Sequence, residues 1–365
     1  MIKLAMTIGC LETGGAEIFV LNLLKRLDYR KYLVLLVVLG KKTDSFLTKE
    51  FEGLPIRIIY LNKRDEFSLI ALIRMTKILR KFSPDIIHGN LGGMMYALPY
   101  LYLFRRKRAV HTAHTVADRE YGSFKRFLLS RLYRQGRIIP VAISPYIRNS
   151  IASTYRLPKE KIALINNAVD TRRFLAPPRA GTGSIVIGHV GRLEPVKNHC
   201  VILATFKVLL GKYPNLRLLL VGDGSLYSQI AREIEVLGDR AQIIKGTDKP
   251  EQYYAQIDIF LFPSVYEGMP LAVLEAMTAG CVIVASNTGG IGDLVTNSEN
   301  GYLLDDCHDV SGFAGIIRSL LDNAKTIKAI SAQNIEKAKR YDIEKLVDEY
   351  EKLYERVIAD AYRGI

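Results

Sequence analysis

The stretch that decides the fold is Ile259–Ala285, IFLFPSVYEGMPLAVLEAMTAGCVIVA. Apolar runs at its two ends, Ile259–Phe262 and Val282–Ala285, are typical of buried strands. Between them, a loop leads into a helical pattern that begins at Pro270. Proline suits a first helical position because its φ is fixed and its missing N–H needs no partner there. Strand, helix and strand in this order predict a βαβ unit with parallel strands.

The same alternation continues along the chain. Strand candidates are Lys3–Ile8, Leu33–Leu39, Ile56–Tyr60, Ile86–His88, Ala109–Thr112 and Pro140–Ile143 in the first half, and Ile185–Val190, Arg217–Val221, Ala241–Lys245, Ile259–Phe262 and Val282–Ala285 in the second. Two prolines and two glycines interrupt the pattern at Leu175–Gly183, which we predict to be a linker. A long amphipathic helix at about Ile343–Tyr362 ends the chain.

We therefore predict an α/β protein of two doubly wound, Rossmann-like domains that face a cleft. Residues 1–174 form the first domain, residues 184–342 form the second, and residues 343–365 pack back on the first. The length of 365 residues agrees with two domains at about 150 residues each. Ligands should bind beyond the carboxyl ends of the strands.

The composition excludes several classes of protein. Hydrophobic residues make up 49% and charged residues 24%, which is typical of a soluble globular chain and not of a disordered or collagen-like one. The four cysteines are scattered without a CxxC pair, which argues against metal clusters and disulfides and favours a reducing compartment. The N-terminus lacks a signal-peptide layout, and the uncharged stretch Leu91–Phe104 is shorter than the about 20 residues of a membrane span. We expect a cytoplasmic protein in which this stretch is a buried helix.

The charge is concentrated in the first half. Residues 1–175 contain 31 Lys and Arg against 13 Asp and Glu, whereas the remainder has 20 against 24. This asymmetry predicts an anionic partner for the first half. Its basic residues cluster at Arg105–Arg108, Arg119, Lys125, Arg126, Arg131, Arg134 and Arg137, with Phe124, Phe127, Leu128, Leu129, Leu132 and Tyr133 among them.

This cluster predicts an amphipathic basic helix that could lie on an anionic membrane. An ordinary surface helix with a buried apolar stripe explains the pattern about equally well. Nucleic acid is a weaker alternative, because no nucleic-acid-binding motif accompanies the charge.

Two carboxylates mark the loop and helix of the opening stretch. Glu267 lies in the loop and Glu275 about one turn inside the helix. The amides of Leu271 and Ala272 would be unpaired at the helix start, which makes that start an anion site. An isolated pair of this kind is usually two solvated surface residues, but the surrounding PS-x-x-EG-x-PL-x-x-LEA-x-x-x-G frame favours a site.

Arg192 and Lys197 follow the strand Ile185–Val190 within one loop. Such a pair is most often exposed to solvent. At the carboxyl end of a strand, it could instead bind a negatively charged group of a ligand.

In the first half, Gly14 and Gly15 permit close backbone approach at a helix start. A tight turn explains them as well, and the missing GxGxxG spacing argues against a simple NAD enzyme. His111 and His114 end a strand, as does His88. We expect no metal there, because no third ligand has matching spacing and no DxD motif is present.

These motifs closely resemble the E-x7-E signature of retaining glycosyltransferases of the GT-B architecture, and specifically glycosyltransferase family 4. The resemblance extends over nearly the whole chain. It implies that Glu275 binds the ribose hydroxyls of the nucleotide and that Glu267 contacts the donor sugar near its reacting carbon. Donor-binding positions by this resemblance are Gly14, Gly15, Arg192, Lys197, Gly268, Met269, Pro270, Leu271, Ala272 and Glu275.

The same resemblance assigns catalytic roles to Glu267, His114, Arg192 and Lys197. His114 would contact the donor sugar, whereas His111 is interpreted as structural. NNAVDTRRF (166–174) and VGDG (221–224) also match the family. Gly292 and Asp293 depart from its GG-x-PE pattern, and Ala168 stands where glycine is usual, which puts loop rigidity and donor choice in question.

The activity implied is transfer of a hexose or N-acetylhexosamine from a nucleotide sugar, UDP-sugar first, to a saccharide or lipid-linked acceptor. The pathway implied is bacterial surface polysaccharide or glycolipid assembly at the inner face of the cell membrane, without a metal or other cofactor. Retention by same-face attack and by a covalent intermediate both stay open. So do three alternatives: a nucleotide-sugar epimerase of the same fold, a non-catalytic partner subunit, and a basic nucleic-acid-binding protein.

Overall fold

A computed structural model describes residues 1–12, 14–63, 67–177 and 183–363. The chain divides into two compact units, residues 1–167 with 343–365 and residues 168–342. Residues 168–174 thus belong with the second unit, although the sequence predicted them to be part of the first. The reason is packing, since the Phe174 ring lies edge-on to the Tyr254 ring of the second unit, with centroids 5.7 Å apart. The predicted linker Leu175–Gly183 lies partly outside the described residues, which omit 178–182.

The first unit is a parallel sheet flanked by helices. Its described strands run in the order β3-β2-β1-β4-β5-β6-β7. They are β1 (Ile2–Ile8), β2 (Tyr32–Val38), β3 (Arg57–Tyr60), β4 (Ile86–Asn90), β5 (Arg108–Ala113), β6 (Ile138–Ala142) and β7 (Ala163–Leu164). The helices between them are α1 (Gly15–Arg26), α2 (Phe46–Glu52), α3 (Leu69–Phe82), α4 (Gly93–Leu103), α5 (Ala117–Glu120), α6 (Ser123–Arg134) and α7 (Pro145–Tyr155).

The second unit repeats this plan. Its described strands run in the order β10-β9-β8-β11-β12-β13 and are parallel. They are β8 (Ile185–Val190), β9 (Leu216–Gly222), β10 (Ala241–Lys245), β11 (Ile259–Phe262), β12 (Val282–Ser286) and β13 (Gly301–Leu304). The helices are α8 (Thr171–Phe174), α9 (His199–Leu210), α10 (Tyr227–Val236), α11 (Glu251–Tyr254), α12 (Leu271–Thr278), α13 (Ile291–Leu294), α14 (Val310–Leu321) and α15 (Ala324–Ala338).

The last helix, α16 (Ile343–Arg363), packs on the first unit. Its Tyr350 and Tyr354 are fully buried. The Tyr354 hydroxyl lies 2.6 Å from His88 Nδ1, and the Tyr350 hydroxyl lies 2.8 Å from Thr112 Oγ1. The helix is therefore fixed to β4 and β5 by buried polar contacts as well as by apolar packing.

Every predicted strand is present, and the doubly wound α/β fold is confirmed. The sequence reading missed β7 and β13, which are short edge strands with partly exposed residues. Strand β4 continues beyond His88 to Asn90, and His111 lies inside β5 and not at its end. The stretch Leu91–Phe104 forms the largely buried helix α4, as expected. Among the described helices, none has the length and apolarity needed to cross a bilayer.

Candidate functional site

The candidate site of the second unit lies where β8 and β11 pair side by side, at the point where the strand order reverses. In doubly wound sheets, ligands bind at this point, beyond the carboxyl ends of the strands. Lys197 lies in the turn after β8, and Glu267 lies in the loop after β11. Their side chains meet, with Lys197 Nζ 2.6 Å from Glu267 Oε1.

The ion pair is largely shielded from solvent. Lys197 Nζ also lies 4.8 Å from the centre of the Phe262 ring, at the end of β11. A cation held between a carboxylate and an aromatic face has little conformational freedom. The fold thus places one positive and one negative group at fixed positions at the carboxyl end of the sheet.

Backbone contacts hold the Glu267 loop from two sides. The amide of Val265 donates to the carbonyl of Val196, 2.9 Å away, which joins this loop to the Lys197 turn. The amide of Gly290 donates to the carbonyl of Gly268 at 2.8 Å. Gly289 has φ of +60°, and a Cβ there would collide with the Glu267 carbonyl oxygen. Only glycine fits this close approach.

Helix α12 begins directly after the loop. The sequence predicted Pro270 as the first helical residue. It is instead the residue before the helix, because its ψ of 122° is extended. No side chain among the described residues caps this start. The amides of Leu271 and Ala272 lie in the first turn, where an α-helix leaves N–H groups without intrahelical partners. The start therefore suits an anion such as a phosphate.

Glu275 lies one turn further along α12 and is held by Tyr254. The Tyr254 hydroxyl donates a hydrogen bond to Glu275 Oε2 at 2.8 Å. Burial raises the pKa of Glu275 to about 7, and the Tyr254 hydrogen bond partly offsets the effect. The carboxyl group is therefore poised between its acid and its carboxylate near neutral pH.

Arg192 is exposed, in the loop that follows β8. That loop packs on the glycine turn after β9, where a Cβ at Gly222 would collide with the Gly191 carbonyl oxygen. Glu194 accepts hydrogen bonds from the amide and the hydroxyl of Ser225, at 3.0 and 2.7 Å. Hydrogen bonding from the Ser225 side chain lowers the pKa of Glu194. The backbone around Arg192 is thus ordered, while its side chain stays accessible.

The first unit positions His114 beside Asn90. His114 follows β5, Asn90 ends β4, and these strands are neighbours. His114 Nε2 lies 2.9 Å from Asn90 Oδ1, so this nitrogen carries the proton and donates. Burial lowers the pKa of His114 to about 3, which keeps the ring neutral. The buried Asn90 Nδ2 has no hydrogen-bond partner among the described residues.

Gly14 precedes α1 and Gly15 is its first residue. A Cβ at Gly14 would collide with the Glu17 carboxylate, whereas one at Gly15 would meet open space. The helix start is thus open to solvent at Gly15.

The other two histidines of the first unit are structural. His88 is fully buried between the hydroxyls of Tyr354 and Thr112. His111 is buried beside the Tyr133 hydroxyl, with Nε2 3.1 Å from Glu120 Oε1. Within the described residues, no group of three or more His, Cys, Asp and Glu side chains is placed to hold a metal ion.

The predicted basic helix is α6, which buries one side against the first unit and exposes the other to solvent. Leu129, Leu132 and Tyr133 are buried, as in an ordinary surface helix. Phe124 and Phe127 are 73% and 65% exposed. Arg137, predicted as part of the basic surface, instead turns inward and donates to the carbonyl of Phe104 at 3.2 Å.

Sequence reasoning missed two residues of these sites, Tyr254 and Asn90. Asn90 could have been found, because the predicted pairing of parallel strands places the residue after PDIIHG near His114. Tyr254 lies 21 residues before Glu275 on a short helix. No spacing in the sequence indicates that contact.

The two Rossmann-like units have the fold of GT-B glycosyltransferases. The profile described as "Glycosyl transferases group 1" matches residues 170–340, and the profile "Glycosyltransferase Family 4" matches residues 13–173. Together they cover most of the chain, which belongs to this family of glycosyltransferases. The chain is therefore a transferase enzyme.

Relatives and solved structures agree with this assignment. The chain is 26% identical over 317 residues to the UDP-Gal:alpha-D-GlcNAc-diphosphoundecaprenol alpha-1,3-galactosyltransferase of Escherichia coli, covering 78% of each chain. It is 24% identical to a diphospho-undecaprenol 4-alpha-N-acetylgalactosaminyltransferase of Campylobacter jejuni, covering 94% of this chain and 96% of the relative. The fold matches Anabaena HepE in complex with UDP, with a TM-score of 0.79, 19% identity, and coverage of 98% and 100%.

Proposed function

We propose that this enzyme is a retaining glycosyltransferase that takes a hexose or N-acetylhexosamine from a UDP-sugar. Its acceptor would be a saccharide linked to a lipid diphosphate, in the assembly of bacterial surface polysaccharide or glycolipid. The observation that carries the proposal is the fixed Lys197–Glu267 pair beside the uncapped start of α12. It combines a cation, a carboxylate and free amides, as a sugar diphosphate requires.

Each group has a defined part in the proposed reaction. The amides of Leu271 and Ala272 bind the diphosphate, and Lys197 and Arg192 neutralise the charge that develops on it as the glycosidic bond breaks. Glu275 accepts hydrogen bonds from the ribose hydroxyls. Glu267 orients the donor sugar, and His114 contacts that sugar. No metal ion is needed in this scheme, because the two cations and the helix start carry the phosphate charge.

Two features support the choice of donor and acceptor. The Escherichia coli and Campylobacter jejuni relatives are both named for undecaprenol-diphosphate-linked acceptors, and HepE was crystallised with UDP. The basic first half of this chain, with Arg105–Arg108 and α6, suits an acceptor held at an anionic membrane. We therefore place the enzyme on the inner face of the cell membrane.

Thermal unfolding with UDP-, GDP- and ADP-sugars, and with the bare nucleotides, tests the donor. We expect UDP and UDP-sugars to stabilise the chain, since a ligand at 100 times its Kd adds about 2.7 kcal/mol. Glu275→Ala should lose this stabilisation, and Glu235→Ala, on the exposed side of α10, should keep it. If no nucleotide stabilises the wild type, the donor site is refuted.

Transfer assays separate the remaining alternatives. A transferase consumes the UDP-sugar only when an acceptor such as a sugar-diphospholipid is added, whereas an epimerase converts it without one. A non-catalytic subunit would bind UDP but do neither. Proton NMR of the first product gives the anomeric configuration, and inversion would refute retention. Activity in EDTA tests the proposed independence from metal.

A further inference from the structure

The start of helix α3 and Phe67 just before it carry an apolar surface that is largely exposed. Phe67, Leu69, Ile70 and Ile73 are 56%, 60%, 67% and 46% exposed. The opposite side of the helix already supplies its buried residues, Ala71, Met75 and Leu79. The four exposed residues are therefore not needed to bury the helix against its own unit. A contiguous patch of this kind on a globular protein marks an interaction site.

The patch is rigid. The Ser68 side chain caps α3 by accepting from the amide of Ala71 at 3.2 Å, and the Ser68 amide donates to the Tyr96 hydroxyl at 3.1 Å. The Phe67 ring packs against the Tyr96 ring of α4, with centroids 6.3 Å apart. Because the helix start is held at these points, little order is lost when the patch binds a partner.

Positive charge follows the apolar residues along the same exposed side. Arg74, Lys77, Arg80 and Lys81 are exposed, and α3 contains no Asp or Glu. Between Phe67 and Arg137 the chain has 14 Lys and Arg against three acidic residues. Of these three, Asp85 accepts from the amide of Lys3, and Glu120 is buried beside His111. Residues 64–66, which precede the patch, lie outside the described residues.

Helix α6 lies on the same side of the first sheet. Both α3 and α6 pack on α4, the former through Phe67 and Ser68 and the latter where the Tyr102 hydroxyl donates to the Leu128 carbonyl at 3.0 Å. Helix α6 exposes Phe124 and Phe127 together with Lys125, Arg126 and Arg131. Two helices on one side of the sheet thus each expose apolar side chains together with Lys and Arg side chains.

We propose that the first turns of α3 insert Leu69, Ile70 and Ile73 into an anionic lipid bilayer, with Arg74 and Lys77 on the lipid headgroups. A bilayer offers an apolar interior beneath a negative surface, which matches the order of groups on this helix. A second copy of the chain does not match, because two-fold pairing would bring the cations of α3 together. The proposal extends the membrane location proposed above from adsorption through charge to insertion of side chains.

The absence of tryptophan from the chain gives a direct test. Ile70→Trp places a single tryptophan in the patch, and Val236→Trp places one at an exposed position of α10 in the second unit. With phosphatidylcholine vesicles that contain phosphatidylglycerol, we expect the emission of Ile70→Trp to shift to the blue and to be quenched by lipids brominated on their chains. The emission of Val236→Trp should not change.

A loss-of-binding pair completes the experiment. Leu69→Ser with Ile70→Ser should weaken vesicle binding at least tenfold at physiological salt, whereas Val208→Ser with Val236→Ser should not. All four positions are exposed, so thermal unfolding should stay close to that of the wild type. Binding is measured without donor or acceptor, so its result is independent of the transfer reaction.

Two outcomes would overturn the proposal. Vesicle binding with an unshifted Ile70→Trp spectrum would mean adsorption by charge alone. Loss of a dimer in Leu69→Ser with Ile70→Ser, seen by sedimentation, would mean that α3 joins two copies of the chain.

Discussion

Lys197 and Glu267 form an ion pair across two loops that are 70 residues apart in the sequence, with Nζ 2.6 Å from Oε1. Parallel pairing of β8 with β11 brings the two loops to one edge of the sheet. Each residue is the partner that keeps the other in place. A substitution at either position therefore disturbs both the charge and the geometry of the site.

We predict that Lys197→Met lowers turnover about 10²–10³-fold, because removing one electrostatic contact to a developing charge has this effect in other enzymes. Glu267→Gln should also lower turnover. The double variant should be less impaired than the two single effects combined, since the residues are in direct contact. Steady-state kinetics with the donor identified by thermal unfolding measures this. Lys207→Met, which breaks an exposed pair with Glu233 on α9 and α10, is the control and should retain activity.

Glu275 makes the stability of the chain depend on pH. Its pKa is raised to about 7 by burial, so between about pH 4.5 and 7 the folded chain keeps a proton that the unfolded chain releases. The contribution to the free energy of unfolding is present below pH 4.5 and is lost as the pH rises through 7, an effect of about 3 kcal/mol. Glu275→Gln should remove this decline.

Urea unfolding of the wild type and Glu275→Gln at several pH values measures the difference, with Glu235→Gln on the exposed side of α10 as control. Equal pH dependence in all three proteins would contradict the raised pKa.

Tyr254→Phe removes the hydroxyl that donates to Glu275. We predict weaker UDP binding by about tenfold, because a hydrogen bond to a charged group contributes roughly 1.5–3 kcal/mol. The pKa of Glu275 should rise further. Calorimetry with UDP measures the first effect, and Tyr253→Phe on the same short helix is the matched control. Identical affinities for the two variants would remove Tyr254 from the site.

His114 should not titrate between pH 5 and 9, because burial lowers its pKa to about 3. Asn90→Asp should raise that pKa, because it places a negatively charged carboxylate beside His114 Nε2. The pH dependence of the His114 ring signals in NMR spectra, assigned by comparison with His114→Gln, measures the pKa in the wild type and in Asn90→Asp. A wild-type His114 that titrates near 6.5 would show that the ring is more solvated than its contacts with Asn90 and Phe19 indicate.

The sequence predicted the sheets well because long β-branched runs alternate with amphipathic ones. It failed at β7 and β13, whose short, half-exposed segments give no periodic signal. The motifs also singled out Glu267, Glu275 and Lys197, and the structure brings Lys197 and Glu267 into contact at the carboxyl end of the sheet. It could not find Tyr254, because the position of a supporting residue depends on how helices pack and not on a spacing along the chain.

Gly289 supports the Glu267 loop through its backbone. The chain reads GGIGD at 289–293, and the first glycine is the one that the fold demands, with φ of +60° and no room for a Cβ beside the Glu267 carbonyl. We predict that Gly289→Ala destabilises the chain by about 1–3 kcal/mol and lowers turnover, since the Glu267 loop must move away. Gly315→Ala is the control, because a Cβ there meets open space inside α14 and should stabilise the helix by about 0.5–1 kcal/mol. Urea unfolding and steady-state kinetics measure both variants, and an unchanged Gly289→Ala would mean that the contact between Gly289 and the Glu267 loop does not position the carboxylate.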